Sequence, residues 1–180
     1  MVQSQFFKGQ RKCETGSLFR GYVPAKTIYF LLDSEALTGS YKKNPSHMKN
    51  WGMIEFVQKI NGIPSPCRPL TFDWVNEDIS EAYSALFDGC GIGAMNRSNL
   101  ITYDMFKQTR FMIVLDNTAD GANFYDDSRN KTSTGYIDVD ITFKEELPRN
   151  VTLVAFGITD DTLMINGNRD IIINPPELTA

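Results

Sequence analysis

"TGYIDVDITFK", Thr134–Lys144, alternates without a break. Ile137, Val139, Ile141 and Phe143 point one way, and Tyr136, Asp138, Asp140 and Thr142 point the other. A period of two with one apolar and one polar side predicts a strand whose sheet has one buried and one wet face. "EELPRN" connects it to a second strand, "NVTLVAFGI", and its turn residues suit a hairpin. "TIYFLLD" (Thr27–Asp33) and "RFMIVLD" (Arg110–Asp116) are apolar on both faces, as expected for strands covered on both sides. Weaker strands are expected at 5–7, 18–23, 53–60, 163–166 and 170–173. Between them "DISEAYSALFDG" switches to helical spacing, with Ile79, Ala82, Tyr83, Leu86 and Phe87 on one side. Asp78 and Glu81 form a candidate capping box there, and Gly89 a stop. "TYDMFKQ" predicts a shorter helix capped by Thr102. Roughly eight short strands, one or two short helical insertions and Pro- or Gly-marked turns describe a mainly β protein. The expected architecture is an antiparallel β-sandwich of jelly-roll type.

Composition sets the outer bounds. A chain of 180 residues with no repeat, linker or low-complexity tract reads as a single domain over 1–180. A net charge of −4 gives no strong nucleic-acid signal, because bulk phosphate binding needs a basic face. The clusters Lys8–Arg11–Lys12 and Lys42–Lys43 read as solvated loops. Cys13, Cys67 and Cys90 have no metal-type spacing, which favours reduced thiols inside a cell. "MVQSQFFKGQRK" lacks the apolar stretch of a signal peptide, and no 18-residue window is apolar enough for a membrane span. The sequons at Asn96, Asn130 and Asn150 are then coincidences of an Asn-rich chain.

The chemistry-bearing constellations are weak. A Ser-His-Asp triad would have to use His47, the only histidine, and no nucleophile elbow accompanies it. "GCGIGAM" (Gly89–Met95) follows a helix rather than a strand, the reverse of a dinucleotide fingerprint. In "DNTADGANFYDD", Asp116, Asp120, Gly121 and Asp127 fall at positions 1, 5, 6 and 12 of a calcium loop. Thr118 stands at position 3, and the last ligand is Asp rather than Glu. An ordinary acidic loop is the expectation, with Asp116, Asp120 and Asp127 the only candidate Ca²⁺ ligands. Asp138 and Asp140 share a wet strand face and read as solubilising rather than as a glycosidase pair. No catalytic residue and no cofactor is expected.

Beyond these readings, the sequence from Leu37 to Trp74, "LTGSYKKNPSHMKNWGMIEFVQKINGIPSPCRPLTFDW", resembles a segment of the capsid proteins of Polinton/Maverick-type elements and adintoviruses. The likeness rests on Gly39-Ser40-Tyr41-Lys42-Lys43-Asn44-Pro45, Asn61-Gly62, Pro66-Cys67-Arg68-Pro69-Leu70 and Asp73-Trp74. It continues through Tyr83, Leu86 and Phe87, then Asp116, Asp120 and Gly121, the segment "DITFKEELPRNVTLVAF", and Asn168-Arg169. The resemblance implies the second, C-terminal roll of a double-jelly-roll capsid subunit, although the first roll is absent and the chain starts with its own methionine. It implies self-association, as a homotrimer, and contact with other capsid subunits. It also implies assembly inside the host cell and a place in the virion. Tyr41, Lys42, Lys43, Trp51 and Trp74, in or near the long loops, are the candidate interface residues. The alternative is a ligand-binding, lectin-like sandwich for attachment or host use, with Tyr125, Asp126 and Asp127 as its candidate residues.

Overall fold

The computed structural model describes residues 1–76, 78–89, 99–118, 133–159, 162–165, 169 and 171–174. Along the chain run β1 (Val2–Phe6), β2 (Lys12–Glu14), β3 (Phe19–Tyr22), β4 (Lys26–Asp33) and α1 (Ser34–Leu37). Then come β5 (Met53–Ile60), β6 (Ile63–Pro64), β7 (Leu70–Thr71), α2 (Ser80–Gly89) and α3 (Tyr103–Gln108). The rest are β8 (Ile113–Asp116), β9 (Thr134–Phe143), β10 (Val151–Ile158), β11 (Thr162–Ile165) and β12 (Ile171–Asn174).

One antiparallel sheet has the order β1-β10-β4-β8. In the other, β9 and β5 form the centre. The short strands β2 and β3 line up along the free edge of β9, and β6 and β7 along that of β5. Counting each pair of short strands as one position gives two four-position sheets. The chain enters the first sheet at β1, crosses to β2/β3 and returns at β4. It crosses again to β5 with β6/β7, and then alternates through β8, β9 and β10. That path is the double Greek key of a jelly roll. β11 and β12 form a separate antiparallel hairpin.

The alternation in "TGYIDVDITFK" appears as expected. Ile137, Val139, Ile141 and Phe143 are fully buried, while Asp138, Asp140 and Thr142 face outward. Opposite them the first sheet contributes Tyr29, Leu31, Ile113, Leu153 and Ala155. The Tyr29 and Phe56 rings meet across the gap at 5.1 Å. Gln58, 1% exposed, ties the two sheets together: its Oε1 accepts from Thr27 Oγ1 (2.9 Å) and from the Tyr29 hydroxyl. Its Nε2 donates to Asn117 Oδ1 (2.7 Å) and Ser65 O (3.3 Å). Such a group is tolerated inside because its hydrogen-bonding capacity is used.

Several local expectations are corrected. α1 is a third helix, one turn long, capped by Asp33 Oδ1 accepting from Glu35 N at 3.0 Å. The capping box at Asp78 is absent: Asp78 exchanges backbone hydrogen bonds with Asp73, and Glu81 turns to Arg68 (2.7 Å). Gly89 is the last residue of α2, and a Cβ there would stand 2.1 Å from Val114 Cγ1. The helix ends at the expected glycine, which also lets α2 pack closely on the outer side of β8. β8 is therefore covered on both faces, but β4 is not, since Ile28 and Phe30 on its outer side are only half-buried. Thr102 Oγ1 does cap α3, accepting from Met105 N at 3.3 Å.

The topology sorts the connections. Residues 7–11, 34–52 and 144–150 lie at one end of the sandwich, where β7 also ends and β8 begins; residues 23–25 and 61–62 lie at the other, where β8 ends and β9 begins. The stretch "GSYKKNP" thus joins the end that carries the longest excursions. Leu147, buried, seats the 144–150 turn, with Leu147 N donating to Gln10 O (3.0 Å) and Gly9 N to Leu147 O (2.9 Å).

Candidate functional site

The first of those two ends holds a charge network centred on Asp33. Asp33, at the end of β4, is largely buried, and its Oδ2 accepts from Lys43 Nζ (2.9 Å) and Arg149 Nη1 (3.1 Å). Lys43 also pairs with Glu35. Burial alone would raise the pKa of Asp33. The Lys43 hydrogen bond, the Glu35 N–H and Arg149 outweigh it and hold the carboxyl below its ordinary value. Hydrogen bonds to Glu35 and Asp33 push Lys43 above its own. Lys43 is therefore a tie between the long loop, β4 and α1, and the expectation of a purely solvated loop lysine is corrected.

The loops around this cluster hold one another. Ser34 N donates to Asn150 O (3.2 Å), Lys144 N to Gly52 O (2.9 Å) and Asn50 Nδ2 to Lys107 O (3.0 Å). His47 Nε2–H donates to Gln108 O at 3.3 Å, so the lone histidine serves as a loop fastener. At Trp51 the backbone enters the left-handed region (φ 53°), followed by Gly52 at 69°. A bulky residue there is an outlier, and such strain persists only where the surroundings impose it. Asn50 Oδ1 stabilises the turn by accepting from Gly52 N at 2.9 Å. Lys49 Nζ sits 5.7 Å above the Trp51 ring, and the Trp51 indole N–H is buried without an acceptor among the described residues.

Three recesses open in sequence across this end. One of about 630 Å³ lies between Asp33, Thr38, Arg149 and Asn150. A second of about 200 Å³ lies between Lys42, Lys43, His47, Lys49 and Trp51. A third of about 540 Å³ runs from Trp51 to Trp74 past Lys107 and Lys144.

The expected interface residues divide accordingly. Tyr41 and Lys42 are exposed, Lys43 is engaged, and Trp51 lines two of the recesses. Trp74 is half-buried: its indole N–H donates to Met53 O, and its ring stacks on Phe72 (6.0 Å) and meets Phe111 edge-on (5.5 Å). It anchors the loop and presents one side to the third recess.

At the opposite end, Asp116 Oδ1 accepts from Thr118 N (2.9 Å) and Oγ1 (2.6 Å), closing a local turn. Asp120 and Asp127, like Tyr125 and Asp126, lie outside the described residues. Among the described residues no three acidic, Cys or His side chains are grouped to hold a metal, and no helix is long and apolar enough to cross a membrane. Sequence reasoning passed over Asp33, Glu35, Lys49 and Arg149. They come from β4, α1 and two separate loops, and no spacing in the chain links them.

An uncharacterized protein of Caenorhabditis elegans is similar to this chain, 29% identical over 179 residues. The alignment takes in 96% of the chain and 42% of that protein, so the chain spans less than half the relative's length. No family model matches the chain, and no solved structure matches it.

Proposed function

We propose that this chain is a capsid-type structural protein, a jelly roll whose work is to associate with copies of itself and not to transform a substrate. The observation that carries the reading is the contrast between the two outer faces of the sandwich. The β5–β9 sheet is wet outside: Glu55, Lys59, Asp138, Asp140 and Thr142 line it, and Lys59 Nζ pairs with Asp140 at 2.5 Å. The outer side of the other sheet carries Ile28, Phe30, Phe156 and Ile158. Phe30 and Phe156 stack at 5.9 Å, while Phe156 and Ile158 are 39% and 48% exposed. The wet sheet exposes Tyr136 among its charged residues, whereas the Ile28, Phe30, Phe156 and Ile158 group is contiguous and apolar, and such a patch favours cover by a second body. A neighbouring copy of the same roll is the occupant that the capsid resemblance implies.

The strand path supports the same reading, since jelly rolls recur in shell proteins, although lectins share them. The greater length of the nematode relative leaves room for a further domain beside this one, as in a double-roll subunit. Trimeric association and a place in a virion are parts of the proposal. Electron micrographs of the natural polypeptide, purified and concentrated, test it. Regular rings or shells are the expected result, and a field of separate single particles at every concentration would reject it.

A further inference from the structure

The chain is acidic overall, with a net charge of −4, yet the middle recess of the loop end runs against that sign. Lys42, Lys43, Lys49 and Arg149 line it together with His47 and Asn44, against one carboxylate, Asp33. Asp33 is already satisfied by Lys43, Arg149 and the Glu35 N–H. Arg149 gives it only Nη1, which leaves the rest of the guanidinium fork unengaged among the described residues. Lys42 and Lys49 form no ion pair among the described residues; Lys49 rests only on the Trp51 ring. Lys43 is engaged by both Asp33 and Glu35, so Lys42, Lys49 and the unengaged part of the Arg149 fork are the groups that focus a positive potential in the recess.

We propose that this recess binds a phosphate-type oxyanion. At about 200 Å³ it is smaller than the roughly 300–1,000 Å³ pockets that take drug-sized ligands, so it suits one compact group. A guanidinium fork and two mobile ammonium groups are the donors that phosphate oxygens accept from best. Asn44 adds a neutral amide at the rim. The loop–loop hydrogen bonds and the strained Trp51–Gly52 turn fix the wall in advance, so little ordering is required on binding. This inference stands independently of shell assembly, because a monomer holds every residue it uses.

Thermal melts of the chain in sodium phosphate and in sodium chloride at matched ionic strength give the first test, with pyrophosphate titration calorimetry beside them. The expected result is a saturable rise in Tm with phosphate or pyrophosphate only, as for a ligand that binds the folded state alone. The variant Lys42→Glu/Lys49→Glu is expected to melt in chloride close to the parent and to bind pyrophosphate at least tenfold more weakly. Should it fail to fold, Lys49→Gln carries the test with an expected loss of threefold or more. Retention on phosphatidic acid vesicles, compared with phosphatidylcholine vesicles, separates the two sources of phosphate. Retention lost in the variant assigns the site to a lipid headgroup, and calorimetric binding without retention assigns it to a soluble phosphate. Equal melting in the two salts with no vesicle retention would overturn the proposal. So would undiminished binding by the variants.

Discussion

Replacing Gln58 by Leu should cost far more than its change in volume. Leucine fills nearly the same space, so the cost comes from the partners left behind. The Tyr29 hydroxyl loses its acceptor in a site where the ring is 1% exposed, and Asn117 Oδ1 loses its donor. Thr27 Oγ1 is partly spared, because Asn117 Nδ2 still reaches it at 3.3 Å. An orphaned buried polar group costs about 1–3 kcal/mol. One such group, plus a half-buried second, gives about 2–4 kcal/mol, or roughly 6–12 °C in Tm for a domain of this size. Tyr29→Phe alone should cost about 1 kcal/mol, because Gln58 Oε1 keeps Thr27. In the double variant the orphaned hydroxyl no longer exists. Its cost should then fall below the sum of the singles by about 1–2 kcal/mol. Urea unfolding with unchanged m-values measures all three. If Gln58→Leu stays within about 0.5 kcal/mol of the parent, or the double variant is additive, the network does not hold the sheets as argued.

Three further outcomes follow from single sites. Gly89→Ala should lose about 1–3 kcal/mol, because its Cβ would collide with Val114, and Val114→Ala in the same chain should restore part of the loss in a thermal melt. Asp33→Asn should destabilise by about 1–2 kcal/mol at pH 7. Because the folded-state pKa of Asp33 lies below its ordinary 3.8, its contribution is present above that pH and is lost as pH falls through the folded value, so urea midpoints of parent and variant should converge as pH falls below 3.8. Burial pushes the Cys13 thiol up to about 11, whereas Cys67 is exposed. A Cys67→Ser/Cys90→Ser variant should therefore label with a thiol reagent only after denaturation.

The fold was legible where the chemistry is local. Period two in 137–143 identified β9 and its wet face, helical spacing identified α2, and the Thr102 capping signal identified α3. Pairing over long separations was not legible: β1 lies beside β10, and β4 lies between β10 and β8, through hydrogen bonds that any backbone can make. α1 is too short for periodicity, and the Asp78 capping signal lost to the Asp73 turn. The loop end was half visible. The lysines of 42–43 drew notice as a basic pair, but the carboxylate and guanidinium that set their surroundings arrive from Asp33 and Arg149, which only the sandwich brings together. The apolar outer side of β4 was read as buried; half of it faces outward, and that difference carries the functional reading.

Sedimentation velocity over a wide concentration range, on the parent protein and on Phe156→Asp/Ile158→Asp, tests the central claim most directly. Mass-action association of the parent is expected, with a shift of the variant to monomer and an unchanged Tm at low concentration. A parent that remains a single 20.3 kDa species throughout would contradict it, and so would a variant that associates as well as the parent.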